Sequence, residues 1–236
     1  EDSMAGNKVA VKIYAPDKGM DDNGIEIFRR EYATVFNITH QNLLRPSHFE
    51  VSNDSPFLVL PYCYKGNVSR YIGMMKEADI VKFLHDVSSG LSYLHEQEPP
   101  IIHQDIKPDN ILIFQGSRWK IGDLGLVTRR DLDFDRQNEL IGPKGWLSPE
   151  AMNKYLAEGR GNKKIDCIID KQSDIFQLGK VFWYILQGNA PIGCIKRADF
   201  LDTDESIYVL IRTMLNYSKK RRIKDMSEVV KELERI

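Results

Sequence analysis

The apolar positions of this chain change period along its length. From Lys8 to Tyr14 the sequence KVAVKIY places Val9, Val11 and Ile13 at every second position, which predicts a strand. Asp17 to Gly24 is rich in Gly, Asp and Asn and predicts a turn. Ile25, Phe28, Tyr32, Val35 and Phe36 then recur at helical spacing. Ser47–Val51 and Phe57–Leu60 predict a strand pair joined by the turn Ser52-Asn53-Asp54-Ser55. Beyond Pro61 the period is mostly helical. Ile80, Phe83, Leu84, Val87, Leu91 and Leu94 form one stripe, the mark of a long helix with a buried face. Ile101-Ile102 and Ile111-Leu112-Ile113 flank a polar loop, and Trp119-Lys120-Ile121 predicts another short strand. Ile175 to Leu186 is apolar nearly all round, which predicts a central buried helix. Ile207, Leu210, Ile211, Met214 and Leu215 predict one further helix, and Val229, Val230 and Leu233 the last.

Composition narrows the class. A chain of 236 residues falls between one and two domains and can bury a sizeable core without staples. Apolar residues at 42% and charged residues at 28% exclude a disordered, collagen-like or coiled-coil chain. Thirty-three basic residues face 34 acidic ones, so no global field draws in nucleic acid or an anionic membrane. The run Lys219-Lys220-Arg221-Arg222 accordingly reads as a solvated turn between helices. Cys63, Cys167 and Cys194 are odd in number with no C-x-x-C pair, which reads as reduced thiols in a cytosolic protein. Val181 to Leu186 is far short of the ~20 apolar residues of a membrane span. Glu1-Asp2-Ser3-Met4 has neither the charge nor the apolar run of a signal peptide. A soluble cytoplasmic protein is expected.

The chemistry concentrates in His103-Gln104-Asp105-Ile106-Lys107-Pro108-Asp109-Asn110. Gly122-Asp123-Leu124-Gly125 follows, with Asp123 placed 18 residues after Asp105, room for two short strands. Upstream stand Val9-Ala10-Val11-Lys12 and Glu31, the latter nine residues before His40-Gln41-Asn42-Leu43. Downstream stand Ser148-Pro149-Glu150 and Asp174, which heads the central apolar helix. These six segments in this order resemble the protein kinase family, from Val9 to Arg222. The resemblance implies an α+β fold in one two-lobed catalytic domain. A small antiparallel-sheet-plus-helix lobe would cover about 1–60, a hinge 61–65, and a mostly helical lobe about 66–236, with ATP between the lobes.

Phosphoryl transfer needs mostly positioning and charge neutralisation. By resemblance, Lys12 contacts the α- and β-phosphates and Glu31 pairs with it. Asp123 ligates Mg²⁺, and Asn110 supplies an amide oxygen to a second Mg²⁺. Asp105 accepts the proton of the substrate hydroxyl, and Lys107 neutralises the transferring group. Leu60 stands behind the adenine, which bonds the Pro61 carbonyl and the Cys63 amide; a proline lacks only its N–H, so it is compatible there. His103 is structural, packing near Leu124; Asp174 binds backbone, and Glu150 forms an ion pair with Arg222. Plainer readings exist. Lys12 suits a strand edge, Glu31 beside Arg29 and Arg30 suits a solvated helix face, and Glu150 suits a helix cap. For Asp105, Asn110 and Asp123 the plain reading is weak, because a polar cluster between apolar strands has no structural need.

Several positions depart from the family pattern. Gln104 stands where regulated members carry an arginine that binds a phosphorylated activation loop, and an uncharged side chain cannot do this. Leu124 to Leu147 holds one hydroxyl residue, Thr128. Both observations point to activity independent of phosphorylation in that loop. Pro143 and Trp146 replace a threonine and a tyrosine of the substrate platform. Lys107 favours serine or threonine in protein substrates over tyrosine. Glu150 to Asp174 spans 24 residues, about twice the family's gap, so roughly Tyr155 to Ile169 reads as a surface insertion. No G-x-G-x-x-G precedes Lys12, and eleven residues are too few for two strands and that loop. Either the loop is absent or it lies before residue 1. A second reading follows, a pseudokinase that serves as a nucleotide- or partner-binding scaffold; the retained Lys12, Glu31, Asp105, Asn110 and Asp123 oppose it. A small-molecule kinase of similar fold is opposed by Lys107-Pro108 and Ser148-Pro149-Glu150.

Overall fold

The computed structural model describes residues 8–13, 25, 26, 29, 32, 33, 35–52, 55–124, 128, 129, 144–157, 167–191, 193–201 and 204–236. Three strands open the fold: β1 (Val9–Ile13), β2 (His48–Ser52) and β3 (Ser55–Pro61). They form an antiparallel sheet in the order β1-β3-β2, with Lys12 opposite Leu58 and Ala10 opposite Leu60. The expected hairpin of β2 and β3 is present, and its turn residues Asn53 and Asp54 lie outside the described residues. Ile25, Glu26, Arg29, Tyr32, Ala33, Val35 and Phe36 are helical, as their period predicts. Tyr32 stacks on Phe49 of β2 at 4.9 Å, which holds this helical stretch on the sheet.

β1 is the expected strand, and one of its faces is exposed. Alternation puts Val11 and Ile13 on one face, yet they are 53% and 62% exposed. Lys12 points toward the site, so its neighbours point the opposite way, to a face largely open among the described residues.

The rest is helical with short strand pairs. The helices are α1 (Glu77–His95), α2 (Pro149–Ala157), α3 (Lys171–Gln187), α4 (Glu205–Met214) and α5 (Met226–Leu233). The strand β4 (Ile101–Ile102) pairs with β7 (Thr128–Arg129), and β5 (Ile111–Phe114) pairs with β6 (Arg118–Ile121). The apolar stripe of α1 is fully buried at Phe83, Leu84, Val87, Leu91 and Leu94, against β6 and α5. Phe83 meets Trp119 and Phe182 edge-on, at 5.2 and 6.2 Å, and so ties α1 to β6 and α3. Burying each such side chain contributes roughly 1.5–3 kcal/mol. Gly90 and Gly179 sit inside helices at a cost in propensity because neighbours come too close for a side chain. A Cβ on Gly90 would lie 2.9 Å from the Asn42 carbonyl oxygen, and one on Gly179 would lie 2.9 Å from the Met214 Cβ. This is the α+β arrangement that the resemblance implies.

Helix α3 begins at a built cap. The Asp170 carboxylate accepts from the Gln172 N–H at 3.0 Å, and the Asp170 N–H donates to the Ser173 hydroxyl at 3.1 Å. Tyr155, where the expected insertion starts, is helical within α2, and residues 158–166 lie outside the described set. One expectation is corrected here. The basic run 219–222 is a turn between α4 and α5, but only Lys220 and Arg221 are solvated. Lys219 bonds Asp170 at 3.0 Å and the Ile168 carbonyl, and Arg222 is fully buried. The reason is local: the turn lies against the N-terminus of α3, where carbonyls and carboxylates converge.

Candidate active site

The polar loop between β4 and β5 is fixed from below by α3. Asp174, with no exposure, accepts the His103 N–H and the Gln104 N–H, each at 2.7 Å. It also bonds the His95 Nε2 at 2.9 Å. Gln177, one turn later, donates to the Gln104 carbonyl at 2.9 Å and accepts from the Ile106 N–H at 3.2 Å. Two side chains of one helix therefore bind the peptide groups on both sides of Asp105. Gln104 adopts φ of +69°, a left-handed conformation that a non-glycine residue holds only when its surroundings over-determine it. These four clamping bonds supply that determination.

His103 joins the second segment to the first. Its Nδ1 accepts from the Asp105 N–H at 3.3 Å, so its Nε2 carries the proton and donates to the Gly122 carbonyl at 3.1 Å. The expected structural role beneath the 122–124 segment is what the geometry shows. Gly122 itself donates to the Asn110 carbonyl at 2.7 Å. Asp123 then turns outward at φ of +52°.

The side chains above this scaffold converge. Lys107 Nζ donates to Asp105 Oδ2 at 2.7 Å, and Asn110 Nδ2 donates to the same oxygen at 2.9 Å. Asn110 Nδ2 also donates to the Asp105 carbonyl at 2.8 Å, which leaves its Oδ1 as the acceptor of the amide. Lys12 of β1 and Asp123 form an ion pair across 111 residues of sequence. Burial pushes the Asp123 carboxyl up, but Lys12 beside it, with His103 and Lys107 further off, holds it below the usual carboxylate range. The Gly122 N–H bond to the Asn110 carbonyl, with the Asn110 amide bonded to Asp105, ties the segment of Asp123 to that of Asp105. Leu60 and Pro61 end β3, and the Cys63 thiol lies 4.0 Å from the Pro61 carbonyl. Burial pushes the Cys63 thiol above its ordinary value. Glu31 lies outside the described residues, as do Gly125 and Pro143.

Asp123 and Asn110 present hard oxygen donors, the type that Mg²⁺ prefers. Among the described residues no three His, Cys, Asp or Glu side chains form a metal cage. One carboxylate and one amide suit an ion that keeps its waters and shares phosphate oxygens. No helix is long and apolar enough to cross a membrane, among the described residues.

Glu150 at the start of α2 meets Arg222 in a bidentate pair, with bonds of 2.8 and 3.2 Å and side chains 2% and 0% exposed. Ser173 adds a bond to Glu150 at 2.7 Å. Burial pushes the Glu150 carboxyl up, but Arg222 and Ser173 outweigh it and hold the group below its usual value. A depressed folded value means stability fully present above the unfolded value, about 4.3, and lost as pH falls through the lower folded one. Acid titration of unfolding is expected to show this slope below about pH 4.3 in the wild type and a shallower one in Glu150→Gln. Identical slopes would remove Glu150 as the source.

Sequence reasoning did not single out Gln177, His95 or Lys180. A signal for Gln177 existed: a buried polar residue in a helix that is apolar all round must have a partner.

Comparison with known proteins agrees with this geometry. The protein kinase domain model matches residues 2–235. The chain is 30% identical over 192 residues to the serine/threonine-protein kinase PLK2 of Mus musculus, covering 80% of this chain and 26% of that protein. It is 29% identical over 187 residues to integrin-linked protein kinase 1 of Arabidopsis thaliana, covering 78% and 38%. It is 28% identical over 195 residues to the serine/threonine-protein kinase PrkC of Bacillus subtilis, covering 81% and 28%. The chain thus spans well under half the length of these relatives.

Proposed function

The chain belongs to the protein kinase family, and on that premise we propose that it transfers the γ-phosphate of ATP, with Mg²⁺, to serine or threonine of protein substrates. The observation that carries the reading is the convergence of Lys12 and Asp123, from distant segments, beside an Asp105 fixed by Lys107 and Asn110.

The roles follow from the bonds. Asp105 Oδ2 is occupied by two donors, and no described residue bonds Oδ1, which is the atom to accept the proton of an incoming hydroxyl. Lys107 supplies positive charge at the transferring phosphoryl group. With nucleotide bound, Lys12 would hold the α- and β-phosphates and Asp123 would hold the metal. Mg²⁺, when bound, neutralises the phosphate oxygens in the site of Asp123 and Asn110. Leu60, Pro61 and Cys63 line the adenine side, and Glu31 is the expected partner of Lys12. Gln104, buried and uncharged, supports a rate that does not depend on phosphorylation between Leu124 and Leu147.

The test is transfer of labelled γ-phosphate with Mg²⁺ to a protein mixture. Wild type is expected to label hydroxyl residues, and Asp123→Asn to lose the signal. Phosphatase pre-treatment is expected to leave the rate unchanged. Equal labelling by wild type and Asp123→Asn would discard the enzyme and favour the scaffold reading.

A further inference from the structure

Each residue has two soft backbone dihedrals, and the peptide groups on its two sides move as rigid planes. The direction of the Asp105 carboxylate is therefore set by two planes, one shared with Gln104 and one shared with Ile106. One side chain of α3 holds both. Gln177 Nε2 donates to the Gln104 carbonyl at 2.9 Å, and Gln177 Oε1 accepts from the Ile106 N–H at 3.2 Å. Asp174 does something different. It accepts from the His103 and Gln104 N–H groups, which belong to the planes on the two sides of His103. The pivot at Asp105 is thus held by Gln177, three residues further along the same helix face.

Other bonds tie the loop to itself. The Asp105 N–H bonds the His103 ring at 3.3 Å, and the Asp105 carbonyl bonds the Asn110 amide at 2.8 Å. Lys107 and Asn110, which bond Asp105 Oδ2, belong to the same loop and move with it. The Gln177 bonds tie the loop to the central helix instead. Gln177 is 3% exposed and Ile106 fully buried, so water does not replace them. Bonding a carbonyl and an N–H together takes a donor and an acceptor at one tip, and a primary amide carries both without a charge.

We propose that Gln177 is a positioning residue for Asp105: it fixes the two dihedrals that aim the carboxylate at the substrate hydroxyl, so that its loss slows transfer without weakening substrate binding. Its purpose rests on the phosphotransfer reading, whereas its hold on the loop does not. A misplacement of about 1 Å at a reacting group can cost about 10²-fold in rate, which is the scale open to such a clamp.

The experiment measures kcat, KM for ATP and for a protein substrate, and amide hydrogen exchange in two variants. Gln177→Met keeps the length of the side chain and removes both polar atoms. Its kcat is expected to fall about 10- to 10²-fold with both KM values unchanged. The Ile106 amide should lose protection from exchange, while those of His103 and Gln104, held by Asp174, should keep it. Gln177→Glu supplies a readout that a merely structural residue would not move. The ionised carboxylate accepts from the Ile106 N–H but repels the Gln104 carbonyl; the protonated one donates to that carbonyl and rebuilds the clamp. Burial raises such a carboxyl, so kcat relative to wild type should climb as pH falls, and this result stands even where Gln177→Met does not fold. An unchanged kcat in Gln177→Met, a loss carried by KM instead, or a Gln177→Glu deficit equal at every pH overturns the inference. Wild type without any transfer removes the phosphotransfer reading alone. Exchange at Ile106 in the two variants then decides the clamp, and protection retained in both overturns it.

Discussion

Asp105→Asn is expected to lower phosphate transfer about 10²–10⁴-fold, the range of a lost general base. The amide has nearly the shape of the carboxylate. Its oxygen can still face Lys107 Nζ and Asn110 Nδ2, which now bond Oδ2 at 2.7 and 2.9 Å. The atom facing the substrate hydroxyl then becomes an NH₂ group, which donates and cannot take the proton. The loop should remain in place, because its backbone is held by Asp174 and Gln177 and not by Asp105 itself. Nucleotide affinity and thermal midpoint are therefore expected to stay near wild type while the rate falls. Transfer retained within about threefold, against the 10² floor, would remove Asp105 from the reacting group.

Asp174→Ala is expected to destabilise the protein by about 3–5 kcal/mol, the order reached when three buried polar groups lose their acceptor at about 1–3 kcal/mol each. The carboxylate bonds two backbone N–H groups and one imidazole, and it has no exposure. Alanine leaves all three buried without an acceptor, and each unsatisfied donor costs about 1–3 kcal/mol. For a chain of this size that corresponds to a fall in Tm of roughly 6–20 °C at ~2–4 °C per kcal/mol. The loss extends to the site, because Gln104 at φ of +69° is held by Asp174 at its N–H and by Gln177 at its carbonyl. Asp174→Asn should fall between the two, since one oxygen still accepts while the NH₂ group meets an N–H. An Asp174→Ala protein with the denaturation midpoint of wild type would contradict this account. Asp105→Asn and Asp174→Ala thus separate chemistry from scaffold. One loses rate with the fold intact, and the other loses both.

Much of the fold was legible because it rests on burial period. The stripe Ile80 to Leu94 is α1, and the all-round apolar stretch Ile175 to Leu186 is the core of α3. The pairing of Glu150 with Arg222 and the backbone-binding role of Asp174 were also expected and are present as bonds. The short strands β4 and β5 were legible as apolar runs around a polar loop, and β6 as one more short strand. The exposure of Val11 and Ile13 was not, because alternation tells that two residues share a face but not whether anything covers it. The burial of Arg222 within a basic run was legible only through its partner, since four adjacent cations look alike in composition.

The sequence by itself determined the order of elements, the family, and which residue types carry the chemistry, because periodicity and motif spacing are properties of the chain alone. Only the tertiary structure decided that Lys12 meets Asp123, that Gln177 and Asp174 clamp both sides of Asp105, and that Lys180 bonds the Gly145 carbonyl. Those contacts join residues from 35 to 111 positions apart. Distance and local dielectric fix their energies, and neither quantity is defined until the chain has folded.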